Sequence, residues 1–81
     1  MSLGSLTLRF LAEEATQYER DRLLRVANER TAGVEYFTFN VFNVRLDFDA
    51  EQVTVEDELD PESEETSPIS DFLAALTAMD G

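Results

Sequence analysis

The chain contains no cysteine, no histidine, no lysine and no tryptophan. Without cysteine, no disulfide or thiolate metal site can brace the fold, and no thiol nucleophile exists. Without histidine there is no imidazole base, which excludes Ser-His-Asp and Cys-His catalysis. Without lysine, Schiff-base chemistry is excluded as well. The three glycines lie far apart, so no glycine-rich phosphate loop is present. No apolar run approaches the roughly 20 residues that span a bilayer. Met1-Ser2-Leu3-Gly4 lacks the basic region and apolar core of a signal peptide, so the expected compartment is the cytoplasm, with no membrane partner.

What is abundant is negative charge, and it is unevenly placed. Six acids and six arginines balance from Met1 to Arg45. From Leu46 to Gly81 there are twelve acids and no base, which accounts for the whole net charge of −12. Such a tail repels phosphate and attracts cations, so nucleic acid is not an expected ligand and a basic protein is. Salt adaptation would also favour acids over lysine, but it predicts acids spread along the whole chain. Eighty-one residues suit one domain, 1–81, with thin stability and a radius of gyration of roughly 12 Å. Residues 1–5 are expected to be disordered or a cloning remnant.

Hydrophobic periodicity gives the expected elements. Leu6, Leu8 and Phe10 alternate with Ser5, Thr7 and Arg9, which predicts a short strand or the start of the following helix. From Leu11 to Arg30 the period lengthens. Leu11, Ala15, Tyr18, Leu23 and Val26 share one helical face, and Gly33 is a plausible stop. Val34 to Phe48 is rich in β-branched and aromatic residues. Its alternation slips at Val41-Phe42, which calls for a bulge or tight turn near Asn40 or Asn43. Asp49-Ala50-Glu51-Gln52 reads as a hairpin loop before a strand containing Val53 and Val55. Residues 60–67 read as an acidic mobile loop. Ser67-Pro68 is suited to open a final helix as N-cap and N1, with Ile69, Phe72, Leu73, Leu76 and Met79 on its apolar face. The expected fold class is α+β: a small antiparallel sheet of three to four strands with two helices packed on one face.

The candidate chemistry is narrow. Carboxylate pairs of the glycosidase type are permitted by residue type, but a domain this small rarely holds the concave pocket they need, so no enzyme is expected. The run from Glu56 to Glu65 carries enough oxygens for a hard cation. It lacks the central glycine and regular spacing of a calcium loop, so neither a metal nor a cofactor is expected. The aromatics Tyr36, Phe37, Phe39, Phe42 and Phe48 are expected in the core, with few basic residues between them for base stacking. The remaining reading is recognition. Asp57, Glu58, Asp60, Glu62, Glu64 and Glu65 are the candidate partner-binding residues, offered to a basic protein in the way immunity or antitoxin-like proteins offer an acidic face to a nuclease. The alternative is a structural or homo-oligomeric protein whose acidity serves solubility or salt adaptation, and a homodimer through a sheet edge or a flat apolar patch fits either.

Overall fold

The computed structural model describes residues 3–30 and 32–78. The order is α1 (Ser5–Glu13), α2 (Gln17–Glu29), β1 (Val34–Thr38), β2 (Phe42–Asp47), β3 (Gln52–Asp57), β4 (Asp60–Pro68) and α3 (Ile69–Ala78). The strands form an antiparallel meander in the order β1-β2-β3-β4, so the fold is α+β with a small antiparallel sheet. The radius of gyration is 11.5 Å.

The slip in the β-rich stretch is a turn. Phe39 N–H donates to Phe42 C=O at 2.8 Å and closes a hairpin, in which Phe37 lies opposite Val44. Reversing the chain there returns both apolar phases to one face of the sheet. That face carries Glu35 and Phe37 from β1, Phe42, Val44 and Leu46 from β2, Val53 and Val55 from β3, and Glu65 and Ser67 from β4. Its apolar side chains form a single buried cluster with Leu6, Phe10 and Leu11 of α1, Leu23 of α2, and Phe72 and Leu76 of α3. Phe10 is fully buried, with its ring centroid 4.9 Å from Phe39, 5.7 Å from Phe42 and 6.3 Å from Phe72. Burying a phenylalanine in this way contributes about 2–3 kcal/mol, a large share for so small a core.

Four sequence expectations are corrected. Three helices form rather than two: of the strand and helix readings of Leu6 to Phe10 the helical one holds, but as a separate helix, α1. Leu6, Phe10 and Leu11 are buried at the i, i+4, i+5 spacing of one helical face. The expected helix from Leu11 to Arg30 is divided between α1 and α2. Thr16 Oγ1 accepts a hydrogen bond from Glu19 N–H at 3.4 Å and caps α2, while Arg20 Nη1 donates to Ala15 C=O at 2.8 Å across the elbow. Thr16-Gln17-Tyr18-Glu19 is a capping-box spacing that the wider periodicity obscured. Residues 60–67 are not a loop but most of β4, and Ser67 and Pro68 end that strand rather than opening α3. Ser5 is the first residue of α1 and Gly4 its N-cap, so the expected disorder does not extend over them. Met79 and Gly81, expected at the end of the last helix, lie outside the described residues. The aromatic cluster is core at Phe37 and Phe42, half-buried at Phe39 and Phe48, and 71% exposed at Tyr36.

The opposite face of the sheet is polar. Tyr36, Arg45, Thr54 and Thr66 align across it from β1 to β4. Thr54 is buried between its neighbours. It accepts from Arg45 Nη2 at 3.2 Å and shares a hydrogen bond with Thr66 Oγ1 at 3.0 Å, so its hydroxyl is satisfied.

Candidate functional site

All six acids singled out from sequence fall on one hairpin, formed by β3, the turn at Glu58-Leu59, and β4. The pairing slips there: Glu56 faces Glu64, but Asp57 faces Asp60, leaving residues 61–63 as a bulge on the β4 side. The bulge throws the carboxylates into three different environments.

Two of them are tied into the architecture. Glu65 points to the inward face and reaches the first turn of α1. Its Oε1 accepts hydrogen bonds from Thr7 N–H at 2.8 Å and Thr7 Oγ1 at 3.0 Å. Thr7 is fully buried, so its amide and hydroxyl have no water to turn to. Burial alone raises the Glu65 carboxyl, but hydrogen bonds from the Thr7 and Leu6 amides and the Thr7 hydroxyl outweigh it and hold it below the ordinary glutamate value. Gly4 is what lets the carboxylate approach, since a Cβ there would sit 2.5 Å from its atoms. Glu65 thus supplies from a distant strand the acidic cap that α1 lacks in its own first turn. Asp57 is the second: its Oδ1 accepts from Leu59 N–H at 2.9 Å to shape the turn, and its Oδ2 pairs with Arg9 Nη2 at 3.3 Å. The same guanidinium pairs with Glu13 at 3.3 Å and lies 5.1 Å from the centroid of the Phe42 ring.

Asp60 is intermediate. It is exposed, yet its carboxylate accepts from Glu62 N–H at 3.3 Å and Ser63 Oγ at 2.8 Å, which stiffens the bulge. Glu58, Glu62 and Glu64 are exposed and face solvent. Glu56 joins them, half-buried on the outer face beside Glu64. Sequence reasoning had left Glu56 out of the partner-binding set. The signal was the inward alternation of Val53 and Val55, which turns Glu56 outward. Glu64 is already in that set; what the strand β4 adds is its place directly opposite Glu56.

Among the described residues, Asp57 is the one acid beyond Leu46 that pairs with an arginine. An open depression of about 290 Å³ brings Asp57, Glu62, Glu64 and Glu65 near Ser5 and Leu6. Even so, no group of three or more acids among the described residues is arranged to hold a metal ion. No described helix is long and apolar enough to cross a membrane. No protein-family model matches the chain, no curated protein matches it, and no solved structure matches it.

Proposed function

We propose that the protein is a non-enzymatic protein-binding module that meets a basic partner through the outer side of its β3–β4 hairpin. One observation carries the reading: Glu56, Glu58, Asp60, Glu62 and Glu64 are gathered on a single hairpin with no arginine paired to them among the described residues. Unpaired, same-sign charge in one place costs the fold self-repulsion. A cationic surface relieves that repulsion and is drawn in at rates that fall steeply with salt. Glu65 and Asp57 are removed from the contact set, since both are engaged within the fold. Glu58, Asp60, Glu62 and Glu64 stay in it and Glu56 is added.

The test compares the wild type with a variant carrying Glu58→Gln, Glu62→Gln and Glu64→Gln. Each is immobilised in native lysate at low salt and at about 0.5 M salt, where the screening length is about 4–5 Å. The expected result is a basic protein held by the wild type at low salt, lost at high salt and not held by the variant. Identical retention by both proteins at low salt would leave the acidity as an aid to solubility, which is the alternative reading.

A further inference from the structure

Among the described residues the sheet is open at both ends of its strand order, and the hydrogen-bond phase fixes which backbone groups each open edge presents. Phe39 N–H bonds Phe42 C=O, and Phe48 N–H bonds Gly33 C=O at 2.9 Å. Antiparallel pairs alternate between bonded and non-bonded types. Hence Glu35 and Phe37 bond to β2, while Val34, Tyr36 and Thr38 turn their N–H and C=O groups to the open side of β1. At the other edge, Ile69 N–H bonds Glu51 C=O at 3.0 Å. By the same alternation Glu65 and Ser67 bond to β3, while Glu64, Thr66 and Pro68 turn outward.

The two edges differ in every property that governs strand pairing. Three devices blunt β4: Pro68 has no N–H to offer, residues 61–63 bulge, and Glu62 and Glu64 are exposed carboxylates. None of these is present on β1. Its outward residues are β-branched or aromatic and uncharged, and Val34, Tyr36 and Thr38 are all exposed. A five-residue β edge free of proline, bulge and outward charge is a template for another strand.

We infer that β1 is a homodimer edge, paired antiparallel with β1 of a second copy about a two-fold axis at Tyr36. In that register Tyr36 lies opposite the partner's Tyr36, and Val34 lies opposite the partner's Thr38. The edge is therefore self-complementary and no like charges are opposed. Charge selects this edge over the other. Strands lie about 4.8 Å apart, so joining two sheets through β1 separates the two β4 strands by about 34 Å, several times the ~8 Å screening length of physiological salt. Joining them through β4 would press the carboxylates of both copies together. A chain of net charge −12 can therefore pair with itself through β1 at little electrostatic cost. A short ladder plus two tyrosines is small beside the ~1,200 Å² of stable complexes, so the expected dissociation constant is about 10–100 µM. This interface is separate from the acidic hairpin and does not depend on its proposed role.

The test is sedimentation equilibrium of the purified chain from about 10 µM to 1 mM. A mass approaching twice the 9.2 kDa of one chain is expected, with tighter association at higher salt. Tyr36→Lys should weaken dimerisation at least tenfold by opposing two cations on the axis. Thr38→Pro should do the same while leaving the β1–β2 ladder whole, because it removes only an outward N–H. Thr66→Pro, the equivalent change on β4, should leave the dimer unaltered. Tyr36→Cys should form an intermolecular disulfide on mild oxidation, and Thr66→Cys should not. Circular dichroism melts of each variant check that it is folded before its mass is read. A monomeric wild type at 1 mM, or a dimer unmoved by both Tyr36→Lys and Thr38→Pro, would overturn the inference.

Discussion

The first and last strands of this sheet occupy equivalent positions and are built on opposite terms. β1 is uncharged on its outward side and comes from the electrically neutral part of the chain; β4 is dense in carboxylates, bulged, and ends in proline. Each is also fastened to a different helix. Glu65 of β4 holds the first turn of α1 through the buried Thr7. On β1, Glu35 pairs with Arg30 just beyond α2, and Arg22 of α2 lies 4.9 Å from the centroid of the Phe37 ring. A strand edge is therefore specified by which residues face outward and which reach inward, and composition alone averages the two. The same alternation that puts Glu64 outward puts Glu65 inward, so adjacent glutamates have unrelated jobs. Opposite salt responses follow: the acidic hairpin should lose its partner as salt rises, while a β1 dimer should gain.

Cutting the tie at β4 should do the most damage. Glu65→Ala leaves the Thr7 amide and hydroxyl buried without a partner, and should lower the free energy of unfolding by about 1–2 kcal/mol in urea titrations. Gly4→Ala should approach the same loss by pushing the carboxylate away. The pH dependence has a definite sign. The folded Glu65 carboxyl titrates below its ordinary value of 4.5, so its contribution is complete above that pH and is lost as pH falls through the lower, folded value. The stability gap between wild type and Glu65→Gln should therefore narrow on moving from pH 7 to about pH 3. A gap that is constant or widens would remove the cap from the account.

A smaller effect is expected midway between the edges. Glu51, in the β2–β3 turn, has φ of +58°, a left-handed conformation that glycine adopts freely. Glu51→Gly should raise stability by up to about 1 kcal/mol and leave the salt response of either edge unchanged. That result would separate overall stability from edge chemistry. The smallest change belongs to the tie at β1. Arg30 and Glu35 are partly exposed, so Arg30→Ala should cost about 0.5 kcal/mol or less in the same urea titration.

How far the residues alone foretold this molecule depends on the range of the interactions involved. The apolar face of α3 and the β character of Val34 to Phe48 are readable, because each rests on a local period that packing reinforces; whether the slip at Val41-Phe42 is a bulge or a turn is not. The first helix stays open between strand and helix in the sequence, because Leu6, Leu8 and Phe10 satisfy a period of two as well as they satisfy a helical face. What decided between them was burial of Phe10 against Phe39, Phe42 and Phe72, residues far along the chain. The strand β4 was misread because Asp-Pro-Glu-Ser-Glu-Glu has almost no intrinsic strand preference. It extends because β3 offers it a ladder, and because its inward positions need only be Glu65 and Ser67 rather than apolar. For the candidate surface, the sequence marked the right segment but could not divide it. Only the register separates Glu58, Glu62 and Glu64, which face water, from Asp57 and Glu65, which hold the fold together.

The clasp between Thr7 and Glu65 joins positions 58 residues apart. The sheet is a meander of neighbouring hairpins and can zip up from local contacts as soon as each turn is made. The opening helix has no such independence: it precedes the sheet in the chain, yet the acid that secures its leading turn comes only with the last strand. The first turn of α1 therefore cannot settle until β4 has been made and paired, and any truncation that removes β4 should loosen the fold at α1 as well.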